Sequence, residues 1–111
     1  MSGPCNPYKL VSAATTNATY VPCALGLATM LQAINNGTGW AYLKIYDKGA
    51  SPTVGTDTSI LCIGLPPGGG SIDAFSFTIC KGLAFAITGA PADSDTTAVA
   101  AAQCVVNFLT N

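Results

Sequence analysis

Glycine and proline punctuate this chain too densely for long helices. Twelve glycines and seven prolines divide its 111 residues into short runs rich in Val, Ile, Leu, Phe, Tyr and Thr, the pattern of many short strands. No run has the 3.6-residue apolar period with caps that an amphipathic helix needs. About eight strands are expected, over residues 9–14, 19–23, 27–34, 40–47, 59–65, 72–79, 83–88 and 104–109. Strands of that number and length make an all-β fold, an antiparallel β-sandwich or jelly roll. The long connection 89–102, with Asp93, Asp95 and an alanine run, is where a short helical turn would fit. With 11.2 kDa there is mass for one domain: an N-terminal arm and first strand (1–18), then a single sandwich domain (19–111).

Turn chemistry assigns the connections. Asn35-Asn36-Gly37-Thr38-Gly39 tolerates positive φ between two strand-like runs and predicts a hairpin. Pro66-Pro67-Gly68-Gly69-Gly70 ends one strand and allows a wide reversal, and Lys81-Gly82 suits a tight turn. Alternation sorts the faces. Ala41, Leu43 and Ile45 form a core side, whereas Trp40, Tyr42, Lys44 and Tyr46 form an aromatic stripe suited to an interface. Phe75, Phe77 and Ile79 point together, as do Leu83, Phe85 and Ile87, which predicts pairing of these two runs. The run 59–65 is apolar on both faces and is expected to be central or covered twice.

Composition removes whole classes of function. Arg, Glu and His are absent and 8% of residues are charged, against about 25% in an ordinary domain. Four lysines cannot match a row of phosphates, so no nucleic acid is expected as partner. Lacking histidine, the chain has no ordinary base near neutral pH and no imidazole metal ligand, so no enzyme activity, metal or cofactor is expected. The most apolar stretch, 21–34, is shorter than the roughly 20 residues of a membrane span and contains Pro22, Gly26 and Gln32. The start Met1-Ser2-Gly3-Pro4-Cys5 has neither the basic region nor the apolar core of a signal peptide, so synthesis in a host cytoplasm without secretion is expected. Few charges on so small a domain imply that other copies or a partner cover much of its surface.

Cys5, Cys23, Cys62, Cys80 and Cys104 match no zinc-ligand spacing. They are either buried small hydrophobes or partners in one or two disulfides, with Cys5 the choice for a bridge between subunits. Thr56-Asp57-Thr58 resembles the Asp-Thr-Gly of dimeric aspartic proteases, but Ser59 stands where the small glycine is needed. Asp93-Ser94-Asp95 lacks the glycine and final glutamate of a calcium loop and is expected to be a solvated turn. The triplets Asn17-Ala18-Thr19 and Asn36-Gly37-Thr38 match the glycosylation pattern by chance.

One extended stretch resembles small structural proteins of tailed bacteriophages. Residues 40–58, WAYLKIYDKGASPTVGTDT, are similar to their strand of the type YLKLYNK running into A-x-P-T-x-G-T-D-x-P. Ile63 to Gly70 is similar to their IPIPAGGG turn, and residues 82–99 to their G-L-A-x-A-I-T followed by A-D-x-D-T-T. The likeness runs from Leu27 to the C-terminus; Ser59 replaces the usual proline, and the cysteines lie outside the pattern. It implies a β-sandwich virion component, and for this size a capsid decoration (cement) protein. Its partners would be the major capsid protein and copies of itself, and its place the capsid surface of the virion. Trp40, Tyr42 and Tyr46 are the expected interface residues. The alternatives are a receptor- or carbohydrate-binding spike or fibre module that stacks sugars on the same aromatic residues, and a tail-associated component.

Overall fold

The computed structural model describes residues 6–22, 27–74 and 77–110. Its strands are β1 (Asn6–Val11), β2 (Thr19–Val21), β3 (Leu27–Asn35), β4 (Ala41–Asp47), β5 (Leu61–Leu65), β6 (Gly70–Ala74), β7 (Phe77–Thr78), β8 (Leu83–Thr88) and β9 (Cys104–Thr110). Pairing is antiparallel and nested: β1 with β9, β2 with β8, β3 with β6 and β7, β4 with β5. Contacts of β3 with β9 and of β4 with β8 then join these pairs into two sheets, ordered β1-β9-β3-β6 and β2-β8-β4-β5. A long antiparallel hairpin rolled onto itself gives this order, which is the jelly roll. Because β6 and β7 both pair with β3, together they fill the place of the single strand expected over 72–79.

The core lies between the sheets and is built by alternation. On β9, Cys104, Val106 and Phe108 are buried while Val105 and Asn107 are not. On β4, Ala41, Leu43 and Ile45 point into the core as expected, beside Leu83, Phe85 and Ile87 of β8 in the same sheet, all buried. Phe85 ties the layers together, 5.2 Å from the Phe108 ring and 6.2 Å, edge-on, from Tyr8.

Connections depart from the sequence reading in four places. The Asn35–Gly39 turn does not close a hairpin; it carries the chain from β3 in one sheet to β4 in the other. The runs around Phe77 and Leu83 likewise lie in opposite sheets, so their apolar faces meet across the core instead of pairing; Phe75 lies outside the described residues. The strand covered on both faces is β8, buried at every position, whereas β5 is an edge strand. The connection 89–102 contains no helix. The first two share a cause. Local pattern reports which side of a strand is apolar, and that is the same whether the neighbour in sequence sits beside it or across the core from it.

Residues 6–11 of the expected arm form β1, paired along its length with β9. Asn35, fully buried, pins the crossovers at one end of the barrel-like roll. Its Nδ2 donates to the carbonyls of Gly39 and Leu65, both at 2.9 Å, and its Oδ1 accepts from the Gly37 amide at 2.9 Å and Gln103 Nε2 at 3.2 Å. No helix among the described residues is long and apolar enough to cross a membrane.

Candidate functional site

The stripe Trp40, Tyr42, Lys44 and Tyr46 does share one face, the outer side of the second sheet, but the face is divided. Two loops, 48–60 and 89–97, roof its lower half, so that Lys44 and Tyr46 are fully buried. Room for this comes from β8, which places Ala86 beside Lys44 and Ala84 beside Tyr46. Val54 packs onto that small cluster from above. The Lys44 ammonium donates to the Ala92 carbonyl and so ties the second loop to the sheet. The Tyr46 hydroxyl is buried with no hydrogen-bond partner among the described residues. Burial raises its pKa above the usual phenol value, with Asp93, Asp57 and Cys62 adding to the effect.

Aspartates build the roof. Asp57 accepts from Lys48 Nζ at 2.7 Å and the Thr53 amide at 2.8 Å, and the Lys48 hydrogen bond foremost holds its carboxyl below the ordinary value. Asp93 accepts from the Ser59 hydroxyl at 2.8 Å and amide at 3.2 Å, joining the two loops. Asp95 accepts from Thr97 Oγ1 at 2.8 Å and the Ala90 amide at 3.2 Å. At the foot of β4, Asp47 accepts the amides of Lys81, Cys80 and Gly82 at 2.7, 3.1 and 3.2 Å and so fastens the 80–82 turn. The Thr56-Asp57-Thr58 and Asp93-Ser94-Asp95 segments are therefore loop fasteners. Asn17 is likewise engaged, its Nδ2 donating to the carbonyls of Ala13 and Thr15 at 3.0 and 2.9 Å.

A cleft of about 270 Å³ opens beside this roof, lined by Tyr46, Asp47, Lys48, Asp57, Thr58 and Lys81. Its carboxylates are committed to Lys48 and to backbone amides.

The upper half of the face is open. Trp40 is 54% exposed and stacks on Tyr42, with ring centroids 6.4 Å apart and planes at 24°. Gly64 on β5 makes this shelf: a Cβ there would stand 3.4 Å from the Trp40 ring and 3.5 Å from Tyr42. At the start of β5, Leu61 is 40% exposed and Ile60, just before it, 49%, with Cys62 exposed beside them. Natural sheet edges are usually blunted by charge, proline or brevity. The other three edges here obey that rule: β1 carries Pro7 and Lys9, β6 carries Asp73, and β2 is only three residues long. From Ser59 to Gly70 there is no charge at all. The result is an uncharged edge that runs from the Trp40 shelf to the exposed Ile60 and Leu61.

Cys62, Cys80 and Cys104 are free thiols, and Cys5 and Cys23 lie outside the described residues, so no disulfide is present among those described. Burial raises the Cys62 thiol and pushes Cys104 up to about 11, so neither is an activated nucleophile at neutral pH. The Cys62 thiol points at the Pro91 carbonyl, 3.7 Å away.

The expected interface residues are thus separated by burial, with Trp40 and Tyr42 accessible in differing degree and Tyr46 enclosed. What alternation alone missed was the roof. Its one sequence signal is the small pair Ala84 and Ala86 in an otherwise bulky strand. Comparison with protein-family models, with curated proteins and with solved structures returns no match to this chain.

Proposed function

We propose that this protein is a non-enzymatic structural component of a tailed-phage virion, a decoration protein that binds and reinforces the assembled capsid. The observation that carries the reading is the uncharged edge of β5 with the Trp40–Tyr42 shelf beside it. An edge left unblunted on an otherwise guarded sandwich is a surface made for another protein. Two further points support the reading. Jelly rolls serve in viral capsid domains, and the stretch 40–58 resembles phage structural proteins. Apolar burial contributes about 25 cal/mol per Å² before ordering costs, and symmetry multiplies a modest contact across a shell.

Lectin domains share the architecture, and an exposed tryptophan shelf also suits a sugar ring. The experiment therefore has two arms. Virions of the phage encoding this chain are fractionated into capsids and tails and probed for the chain by mass spectrometry. Purified chain is then mixed with capsids stripped of it. Co-sedimentation with capsids that persists at about 1 M salt, where surface charge is screened, is expected. Trp40→Ala should weaken it by at least about tenfold. Absence of the chain from capsids refutes the proposal, and glycan-array hits abolished by Trp40→Ala would replace it with the carbohydrate-binding reading.

A further inference from the structure

The outer face of the first sheet, on the opposite side of the sandwich from the Trp40 shelf, has its own order. Alternation places Lys9, Asn107, Gln32 and Asp73 outward, because their neighbours Tyr8, Leu10, Val106, Phe108, Leu31, Ala33 and Ile72 pack into the core. Register puts these four in one row straight across the sheet: Lys9 beside Asn107, Asn107 beside Gln32, Gln32 beside Asp73. One step along the strands, Val105 lies beside Ile34, giving the polar row an apolar neighbour.

The charged ends of the row are the odd feature. Lys9 and Asp73 are both exposed, and among the described residues neither enters a salt bridge or a side-chain hydrogen bond. Asp73 is the one aspartate that fastens no loop. Three strand spacings separate the two, about 14 Å at the usual 4.8 Å each, so they cannot meet within one copy. A second copy can bring them together. Rotation by 180° about an axis lying along the strands, in the plane of contact, carries each end of the row over the other end.

We infer that two copies of this chain pack face to face through this sheet, with Lys9 of each meeting Asp73 of the other. Asn107 then faces Gln32 of the second copy, and Val105 faces its Ile34. Each position of the polar row meets a complement, cation with anion and amide with amide; in the next row Val105 meets Ile34, and Val11 meets Ser71. Stacked sheets lie about 10 Å apart, a gap that an extended lysine and an aspartate bridge between them. The face is roughly 19 by 24 Å from strand spacing and rise, about 900 Å² over the two copies, which is the size of a weak, transient interface. This gives the expected partnership with copies of itself a surface, apart from the capsid contact proposed above. It needs no capsid and leaves the Trp40 shelf free, so each can fail without the other.

Sedimentation equilibrium of the full chain, from about 1 µM to several hundred µM, tests it. A monomer–dimer equilibrium is expected. Lys9→Asp and Asp73→Lys, each placing like charges at both symmetric contacts, should each weaken dimerisation by about tenfold or more, and the double reversal should restore it to within about threefold. In the unaltered protein, a carbodiimide joins the Lys9 amine to the Asp73 carboxyl as an amide with loss of water. Mixed light- and heavy-isotope copies should yield this cross-linked peptide between chains. A monomer at all concentrations, a dimer indifferent to either single reversal, a double variant that stays dissociated, or no inter-chain Lys9–Asp73 peptide would each overturn the inference.

Discussion

Replacing Asn35 by alanine should cost about 3 kcal/mol, and the figure follows from what each lost hydrogen bond leaves behind. Leu65 is fully buried, so its carbonyl, now paired to Asn35 Nδ2 at 2.9 Å, would have no access to water. An unsatisfied buried acceptor costs about 1–3 kcal/mol. Gly37 and Gly39 lie in a more exposed turn, and their groups would be rehydrated at a net loss of about 0.5–1 kcal/mol each. For a domain of this size the sum corresponds to a fall in Tm of about 15 °C. Asn35→Asp separates hydrogen bonding from shape. At neutral pH its carboxylate would point at two carbonyl oxygens, so its folded pKa would be raised. The variant should then lose stability as pH rises and recover part of it on acidification, when the protonated acid can donate once. Urea unfolding followed by the fluorescence of the single tryptophan, Trp40, and by circular dichroism measures both effects. A loss below about 1 kcal/mol for Asn35→Ala would refute the assignment of Asn35 as the pin of the crossovers.

Gly82→Ala should destabilise by about 1–3 kcal/mol, because its Cβ would stand 2.7 Å from the Lys48 carbonyl and 3.0 Å from Gly49 Cα, both backbone atoms; a fully stable variant would disprove that close approach. Lys44→Met should leave stability unchanged or raise it by up to about 2 kcal/mol, since it removes a buried charge while the exposed Ala92 carbonyl turns to water; a comparable loss in denaturant titration would mean the ammonium is needed to hold the loop. The carboxyls of Asp47, Asp57, Asp93 and Asp95 are held low, chiefly by the Lys81 amide, Lys48, the Ser59 hydroxyl and the Thr97 hydroxyl respectively. A depressed folded pKa stabilises above the ordinary carboxylate value and loses that stability as pH falls through the folded value, so Tm should be level near neutrality and drop below about pH 4. At the alkaline end the sign reverses: burial pushes Cys104 up to about 11, so stability should fall as pH climbs from about 9, less so in Cys104→Ala.

Much of the strand content was legible because burial on one side of a strand writes itself as alternation. Residues 83–88 and 40–47 could be assigned to strands and faces from pattern alone, and Ala41, Leu43 and Ile45 were read correctly as core. Connectivity was not legible. Asn35–Gly39 has the chemistry of a hairpin turn, yet it serves equally to step between sheets, and the Asn35 side-chain contacts to Leu65 and Gln103 that select the step come from residues 30 and 68 positions away. The stripe from Trp40 to Tyr46 was correctly seen as one face. Its division into an open shelf and a roofed half depends on loops 48–60 and 89–97, which are anchored by the Asp93–Ser59 contact across 34 residues.

The amino-acid sequence by itself determined that this chain is all-β and which strand residues form the core between its sheets, and it holds no histidine or glutamate. Those properties depend on near neighbours and on which residue types are present. Tertiary structure decided which strands are edges, which aspartates are spent fastening loops, and which aromatic residues remain accessible. It also set Lys9 and Asp73 at opposite ends of one row, a relation between positions 64 apart in sequence that exists only once the sheet's register is formed.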